Sequence, residues 1–303
     1  MCSPETKGKG AQVRFDRVAE DIYVFASGLY AQVTATVLLT KRGAIVIDTM
    51  PFPIETRQIV SFVASRLGPD RVRYVVYTHH HGDHVYGAYL FRGAETVAHD
   101  LCRDTLNRFG RAALEGAKAD TPVLAEVELR VPDMTFEREM HIHLAHRHVR
   151  LFHTPGHTLD GTSAFVVGEK VLVAGDAMMP VPYIVHGDRD QLRETLLRFR
   201  ALRPAFVVQG HGEVLLRGEL EETIDSHLSY LDAIVDRVEG IVQRGAPPEK
   251  LAEIDIESCG KSRVPLDGLV SKLHHDNLVA LYEELTEAGR PQTATSAAGQ
   301  FRR

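Results

Sequence analysis

Four histidines and one aspartate occur within six residues of the stretch YTHHHGDHVYG. His79 and His81 alternate, so both imidazoles can point to one side of a chain that leaves a strand. Gly82 can adopt a positive φ, and the sharp turn this permits would bring Asp83 and His84 to a neighbouring point. Imidazole and carboxylate suit zinc, iron or manganese, and the donors are too many for one tetrahedral ion. The stretch therefore predicts two adjacent metal ions.

Three later segments each place a donor after an apolar strand-like run and a glycine turn. The segment RLFHTPGHT contains His157, VLVAGDAMM contains Asp176, and AFVVQGHGEV contains His211. A site for two ions needs donors beyond the first cluster, and these residues supply imidazole and carboxylate in the same local context. All three are therefore candidate ligands of the same centre.

Taken in order, these motifs resemble those of the metallo-β-lactamase superfamily. Its H-x-H-x-D-H signature is matched at residues 79–84, its T-P-G-H-T segment at 154–158, its G-D segment at 175–176 and its G-H-G segment at 210–212. The resemblance implies an α/β protein built as an αββα sandwich, with two mixed sheets face to face and helices outside. It also implies a binuclear site at the sheet edges.

The resemblance further implies how the donors are divided. Carried over position by position, the ligands form three sets: His79, His81 and His157 for one ion; Asp83, His84 and His211 for the other; and Asp176 as the bridge. The implied cofactors are two divalent metal ions, with zinc expected and iron or manganese as alternatives. Asp83 and Asp176 are the residues expected to be catalytic.

Two such ions favour hydrolysis. Ions about 3.5–4 Å apart can share a water, lower its pKa and hold hydroxide as nucleophile beside an electrophilic carbonyl or phosphorus. Asp83 can also steer the nucleophile or shuttle its proton. Asp48, at the end of the strand IVID, resembles the superfamily's acid that orients the histidine loop, with a plain turn residue as the alternative. The prediction is a metallohydrolase that cleaves an ester, thioester, lactone or lactam bond of a small molecule.

The physiological substrate is left open. Broad-spectrum β-lactamases have a cysteine where this chain has Asp176, which disfavours antibiotic hydrolysis. Glyoxalase II enzymes share all seven ligands and a helical C-terminal part, but their glutathione-contacting residues cannot be matched one by one. Quorum-quenching lactonases share the ligands too, yet Met179 stands where a tyrosine is expected.

The alternative function is an iron-dependent oxidoreductase similar to persulfide dioxygenases, which bind a single iron. Flavodiiron proteins are disfavoured, because they replace one signature histidine by glutamate where this chain keeps His81, and no flavodoxin-like domain follows. Nucleases of the superfamily carry an inserted domain, for which residues 101–149 are too short. A degenerate binding protein would have lost ligands, and none of the seven is missing.

The other histidines are expected to have lesser roles. The alternation turns His80 away from the site, towards packing or support of a ligand. The stretch MHIHLAHRHVRLFH contains five histidines, which two short strands joined by a turn would explain, so solvated or packing roles are expected. His186, ten residues beyond Asp176, is a candidate for lining the substrate pocket.

The composition restricts the classes of binding partner that the protein is expected to have. The 303 residues are 44% hydrophobic and 25% charged, with a net charge of −6, as in a globular protein. No Lys/Arg-rich segment is long enough to follow a phosphate backbone, so nucleic acid is not an expected partner. The chain shows neither a secretory signal nor an apolar run of the ~18 residues of a membrane span, which favours the cytoplasm. The three scattered cysteines predict isolated thiols, and a homodimer is left open.

Strand-like runs alternate with amphipathic helices, the pattern of layered α/β architecture. Two strand–helix–strand units are predicted, with strands and helix at 43–49, 54–67 and 72–77, and then at 171–175, 189–202 and 205–209. Their similarity suggests a weak internal duplication. The first domain is predicted to span residues 12–215.

After the first domain the pattern is helical. A long amphipathic helix is predicted over residues 220–242, a shorter helix from Pro247, and a third over 273–288 ended by Gly289. Residues 216–289 are read as an extension packed on the first domain, and residues 290–303 as a disordered tail.

The last helix has two interpretations. In one it packs on the domain or forms a dimer surface. In the other it roofs the pocket, with His274, Asn277 or Tyr282 touching the substrate.

Overall fold

The computed structural model describes residues 13–288 and contains two β-sheets. The strands of the first sheet are β1 (Arg14–Ala19), β2 (Ile22–Ala26), β3 (Thr34–Thr40), β4 (Gly43–Ile47), β5 (Val72–Val76), β6 (Glu95–His99) and β7 (Met134–Phe136). The strands of the second sheet are β8 (Glu139–Leu144), β9 (Arg147–His153), β10 (Thr162–Val166), β11 (Val171–Gly175), β12 (Phe206–Gln209) and β13 (Val214–Leu216).

Helices surround the sheets. The α-helices of the described residues are α1 (Pro53–Leu67), α2 (Gly82–Val85), α3 (Asp100–Thr105), α4 (Arg111–Asp120), α5 (Arg189–Leu202), α6 (Arg217–Gln243) and α7 (Leu269–Ala288). A π-helical turn (Leu106–Gly110) joins α3 to α4, and short 3₁₀ helices lie at Tyr86–Leu90, Pro122–Leu124, Pro248–Glu253, Glu257–Cys259 and Pro265–Gly268.

Both sheets are mixed. In the first, β1 to β4 form an antiparallel meander and β4 to β7 run parallel, in the spatial order of the sequence. In the second, the order is β13-β12-β11-β10-β9-β8; β11 and β12 are parallel and the other neighbours are antiparallel. The predicted α/β class with an αββα sandwich is confirmed.

One core lies between the two sheets. Ile45 and Ile47 of β4 face it, and Leu151 of β9 meets them from the other sheet. Ala44 and Val46 of the same strand belong instead to the core under α1. Because both faces of β4 are buried, its sequence GAIVI is continuously apolar rather than alternating.

Both predicted strand–helix–strand units are present. The first consists of β4, α1 and β5, the second of β11, α5 and β12, and in each the two strands are parallel neighbours. Helix α1 buries Ile59 and Val63, and helix α5 buries Leu192, Leu196 and Phe199. The apolar spacing predicted both helices to within a residue at each end.

Helices α6 and α7 lie against the second sheet. Leu231 of α6 and Leu278 of α7 belong to the same buried cluster as Leu172 of β11. This shared core supports our proposal that residues 216–289 form an extension packed on the domain of residues 12–215, and not a separate unit.

The C-terminal elements differ from the prediction in detail. The segment that opens at Pro248 is only six residues long and forms a 3₁₀ helix. Helix α7 begins at Leu269 rather than Leu273, because the chain turns into it through Gly268 at φ 88°. The predicted stop at Gly289 and the predicted disordered tail, residues 290–303, lie outside the described residues.

Within residues 13–288, no helix is both long and apolar enough to cross a bilayer. Cys102 and Cys259 are buried free thiols, as predicted.

Candidate metal centre

The seven predicted donors meet at one edge of the sandwich, beside the ends of β5, β9, β11 and β12 and the short helix α2. They fall into two groups, and within each group the potential ligand atoms lie within 4.8 Å of one another. The first group is His79, His81, His157 and Asp176, and the second is Asp83, His84 and His211. Their assignment as metal ligands stays a prediction.

The first group contains three imidazole nitrogens. Nδ1 of His81 lies 3.0 Å from Nε2 of His79 and 3.2 Å from Nε2 of His157. Oδ2 of Asp176 lies 3.8 Å and 3.5 Å from the same two Nε2 atoms. Donor atoms at these separations can surround one ion with ligand distances of about 2.0–2.2 Å.

Asp176 also faces the second group. Its Oδ1 lies 3.2 Å from Nε2 of His84, and its Oδ2 lies 3.4 Å from Nε2 of His211. Oδ2 of Asp83 lies 3.7 Å and 3.3 Å from those two nitrogens. One carboxylate therefore lies between the two sets of donors.

Two glycines shape this edge. The prediction that Gly82 adopts a positive φ is wrong. Gly82 instead begins helix α2, and the helical turn brings Asp83 and His84 inward. A Cβ on Gly82 would overlap the Tyr86 ring. A Cβ on Gly210 would overlap the Asp176 carboxylate, so the G-H-G segment needs glycine at this position for close approach.

Asp48 holds the histidine loop from behind. It accepts hydrogen bonds from Thr78 N at 2.7 Å, Thr78 Oγ1 at 2.6 Å and His84 Nδ1 at 2.9 Å. The Nδ1–H of His79 in turn donates to Thr78 Oγ1 at 3.0 Å. Both rings therefore present Nε2 to the centre, and the expected contact of Asp48 with the loop is present.

Backbone carbonyls hold two further rings. His157 Nδ1 donates to the carbonyl oxygen of Tyr183 at 2.9 Å, and His211 Nδ1 donates to that of Ala31 at 2.8 Å. Each bond orients the ring so that Nε2 faces the centre, where it can bind a metal ion once it carries no proton. The donor motifs gave no sign of these carbonyl partners, which come from distant loops.

Burial and charge set the protonation of the two groups. Burial, followed by neighbouring imidazoles, lowers the pKa of His81 to about 3, and burial also lowers the pKa values of His79 and His157. Burial opposes protonation of His84 and His211 too, but the neighbouring carboxylates, Asp176 and Asp83, together outweigh it and raise the pKa of both, to about 10 for His211. Neutral imidazole, the form that binds metals, is thus favoured in the first group.

The carboxylates are held ionised. Burial would raise their pKa values, but His84 and His211 outweigh it and lower the pKa of Asp83 to about 2 and that of Asp176 well below its usual value.

The buried polar atoms fit divalent cations. His84 Nε2 and Asp176 Oδ1 are fully buried and make no hydrogen bond of acceptable geometry among the described residues. Buried polar atoms without a hydrogen-bond partner lower the stability of the fold, and a cation between His84 Nε2 and Asp176 Oδ1 would interact favourably with both atoms. Imidazole and carboxylate donors suit zinc, iron or manganese.

Other predicted residues lie outside the two groups. His80 Nδ1 bonds to Asp160 Oδ1 at 2.9 Å, away from the centre, as the strand alternation predicted. His186 is exposed at φ 63° and lines none of the cavities described below. The histidines of MHIHLAHRHVRLFH lie on the predicted pair of strands, β8 and β9, and on the turn between them.

The interpretation of α7 as a roof is not supported. Asn277 is fully buried and bonds to Ile184 N and Pro182 O, His274 bonds to Tyr230 and Ile254, and Tyr282 donates to the carbonyl of Ala246. These polar groups are engaged inside the protein, so the structure favours the packing interpretation.

Tyr30 was missed by the sequence analysis. It lies in the loop between β2 and β3, half-exposed, and its ring packs edge-on against Phe52. Asp83, together with burial, raises the pKa of its hydroxyl to about 12, so the hydroxyl stays a donor at neutral pH. No periodicity or motif in SGLYAQ marks this residue, because its place depends on how the loop packs.

Two cavities are lined by neighbours of His211, Gly212 in one and Ala31 in the other, and by none of the seven donors. One, of about 330 Å³, is lined by Tyr30 and its loop; the other, of about 760 Å³, is lined by Gly212 and Lys261 among others. Gln32, Glu213 and Asp267 line both cavities. Their sizes suit a small molecule.

Comparison with known proteins identifies relatives of this architecture. Residues 30–211 match the sequence profile of the Metallo-beta-lactamase superfamily. A hydroxyacylglutathione hydrolase of Pelagibacter ubique is 25% identical over 164 residues, 54% of this chain and 58% of that protein. A beta-lactamase-like protein 2 homolog of Drosophila melanogaster is 27% identical over 184 residues, 60% of this chain and 58% of that protein.

Solved structures show the same fold. A metallo-beta-lactamase from Pontibacter korlensis superposes with a TM-score of 0.56 at 19% identity, covering 71% of this chain and 98% of that one. The alignments with the two relatives span less than two thirds of the length of each.

Proposed function

Because the chain belongs to the metallo-β-lactamase superfamily, we propose that it is a metal-dependent hydrolase of small molecules that cleaves an ester, thioester, lactone or lactam bond. One observation carries the proposal: two groups of buried donors share Asp176 at one sheet edge. Such an arrangement supports two ions, the number that the donor count predicted.

The residues that would hold the ions are those of the two groups: His79, His81 and His157; Asp83, His84 and His211; and Asp176 between them. When bound, the ions would supply Lewis-acid polarisation of the scissile carbonyl and activation of a water molecule. Zinc is the first expectation, with iron or manganese as alternatives.

The exposure of Asp83 supports a role for it in handling the proton of the attacking water. Its side chain is 16% exposed, whereas that of Asp176 is 5% exposed, so it is the carboxylate of the centre that solvent and substrate reach more easily. An ionised carboxylate there can accept the proton and pass it to the leaving group.

The position of Tyr30 near Asp83 supports a role in orienting the substrate, together with the two cavities. The Tyr30 hydroxyl lies in the field of Asp83 and can donate to a polar group of the substrate at the mouth of the centre. The non-reacting part of the substrate would occupy the 760 Å³ cavity next to Gly212. Tyr30→Phe is therefore expected to change KM or kcat for substrates that have such a group.

The name of one relative suggests the first substrate class to try. The Pelagibacter ubique protein is named as a hydrolase of hydroxyacylglutathione, an acylated thiol, which makes a thioester the leading candidate for this chain. Because the alignment covers only 58% of that relative, the acyl and thiol parts are left to experiment.

The test is a substrate panel with the metal-loaded protein. We expect turnover of at least one of a thioester, lactone, ester or β-lactam, and a fall in kcat/KM of ~100-fold or more for Asp176→Ala, far larger than its effect on folding stability. His80→Ala, a matched histidine next to the centre, should retain most activity. Equal activity of the two variants would refute the site assignment.

Protein purified without added metal tests the alternative. Oxygen consumption with a persulfide, together with one iron per chain and no hydrolysis, would replace the hydrolase proposal by the dioxygenase-like one.

A further inference from the structure

Three histidines form a second cluster on the outer face of the β8–β9 hairpin. His141 and His143 are two residues apart on β8 and therefore lie on the same face of the sheet. His148 of β9 is the register partner of His143. The potential ligand atoms of the three side chains lie within 4.8 Å of one another. We call these three residues the hairpin cluster.

The imidazoles converge. Nδ1 of His141 lies 2.6 Å from Nε2 of His148, and the ring centroids of His143 and His148 are 4.3 Å apart. His141 and His143 are exposed and His148 is half-buried, so an ion can reach all three from solvent.

The hairpin is a rigid platform for the cluster. Six residue pairs run without a bulge from Glu139↔Phe152 to Leu144↔Arg147. Residues that alternate with the histidines, Ile142 on β8 and Val149 on β9, are buried in the core between the sheets. The backbone beneath the three rings is therefore fixed by core packing.

Hydrogen bonds on the side away from the cluster also fix the ring of His141. His141 Nε2 donates to Glu139 Oε1 at 2.7 Å, and Glu139 Oε2 is held by Arg150 Nε at 2.6 Å. Nδ1 of His141 is therefore the acceptor nitrogen, and it faces Nε2 of His148. A carboxylate that fixes the tautomer of an imidazole in this way is the usual support of a metal-binding histidine.

The cluster is separate from the seven-donor centre. It shares no residue with it, and His148 lies at the start of β9, whereas His157 follows the end of that strand. The five steps from His148 to His153 span about 17 Å of strand.

We propose that His141, His143 and His148 form a surface site for a divalent transition-metal ion such as Zn²⁺, Ni²⁺ or Cu²⁺. Three imidazole ligands suit these ions and leave at least one coordination position to water or to an external ligand. Two nitrogens that bind a tetrahedral ion at about 2.0–2.1 Å lie about 3.3 Å apart, so His141 and His148 separate slightly on binding. Their exposure makes that movement easy. This site replaces the solvated or packing roles expected from the sequence.

Cu²⁺ titration of zinc-loaded protein tests the site, because Cu²⁺ competes well for the exposed imidazoles of the hairpin cluster, and measuring released zinc in the same titration shows whether Cu²⁺ has also entered the buried principal centre. We expect one equivalent of Cu²⁺ with nitrogen hyperfine structure in the EPR spectrum and a Kd in the micromolar range or below. His143→Ala and His148→Ala should each weaken Cu²⁺ binding at least 10-fold, and Glu139→Gln about 10-fold.

The matched control is His146→Ala. His146 is exposed in the turn of the same hairpin but is not a member of the cluster, so its loss should leave Cu²⁺ binding and hydrolysis unchanged. Equal Cu²⁺ binding by His143→Ala, His146→Ala and the wild type would overturn the proposal, as would the absence of bound Cu²⁺ in the wild type. Asp176→Ala should keep the hairpin ion, which separates failure of this site from failure of the proposed hydrolase centre.

Discussion

Four of the five histidines of the centre are held from behind by groups that the donor motifs do not contain. Thr78 and Asp48 hold His79 and His84, and the carbonyls of Tyr183 and Ala31 hold His157 and His211. These partners decide which nitrogen faces inward, and His81, which turns Nδ1 inward, has no such bond among the described residues. The chemistry of the centre therefore depends on residues with no metal-binding role of their own.

Asp48 offers the sharpest test of this support. Asp48→Asn keeps the size of the side chain but removes its charge and an acceptor from a residue that accepts three hydrogen bonds. We expect metal affinity to fall about 10–100-fold, with activity largely recovered at high metal concentration. Competition with a chelator measures the affinity. Unchanged retention of metal would show that Asp48 is only a turn residue.

Residue types and spacing predicted the seven donors, because strand alternation and glycine turns leave local marks in the sequence. They did not predict Tyr30, whose position depends on a loop packed against Phe52. They also gave the wrong reason for Gly82, because a helical turn and a positive-φ turn both tolerate glycine.

At the scale of elements, α6 and α7 position the loop that follows Asp176. His227 of α6 donates to the Met179 carbonyl at 2.6 Å. Asn277 of α7 bonds to Ile184 N at 2.9 Å and to Pro182 O at 2.8 Å, on either side of Tyr183. Since Tyr183 holds His157, the C-terminal helices act on the centre through this loop and not as a roof.

Asn277→Ala should therefore lower the metal affinity of the centre indirectly, through the loop that follows Asp176. Three hydrogen bonds of a fully buried amide are lost, so we expect a destabilisation of about 2–3 kcal/mol and lower metal affinity. KM ratios between substrates should not change. Chemical denaturation and chelator competition measure the two effects, and Tyr282→Phe, on the same helix, is the control with a smaller loss. A change in substrate preference for Asn277→Ala would favour direct contact with substrate instead.

Element boundaries were predictable where periodicity was strong. Helix α5 has Leu192, Leu196 and Phe199 on one face, and its bounds follow from the sequence. The short 3₁₀ helix at Pro248–Glu253 has too few residues for a periodicity to show. The cavity beside Gly212 could not be predicted either, because it lies between elements that are far apart in the sequence.

At the scale of the whole molecule, the C-terminal extension brings a buried lysine to the large cavity. Lys261 is 8% exposed, donates to His227 Nδ1 at 2.9 Å and has no carboxylate partner among the described residues. Burial lowers its pKa from 10.5 to about 8. In the unfolded chain the amine regains its ordinary pKa.

This shift predicts a pH dependence of stability. Between pH 8 and 10.5 the unfolded chain binds the proton and the folded chain does not, so the free energy of unfolding due to Lys261 rises with pH in that window. Below pH 8 both states bind it and the contribution is constant. The gain is on the order of 2–3 kcal/mol.

Thermal unfolding across that pH range measures the effect. Lys261→Met should reduce the rise of stability with pH relative to the wild type. Lys250→Met is the matched control, because Lys250 is an exposed lysine of the same extension. The stability of this variant should depend on pH as that of the wild type does. Identical pH profiles for all three proteins would contradict the assignment of a buried, unpaired amine.

Metal content tests the central claim, that the seven donors hold two ions, most directly. The measurement is elemental analysis of protein that carries His143→Ala, so that the hairpin cluster does not contribute, purified without added metal and dialysed. We predict two equivalents of transition metal per chain, zinc first, and a large loss when Asp176→Ala is added, because that carboxylate faces both groups. One equivalent of iron with no second metal, or two equivalents unaffected by Asp176→Ala, would contradict it.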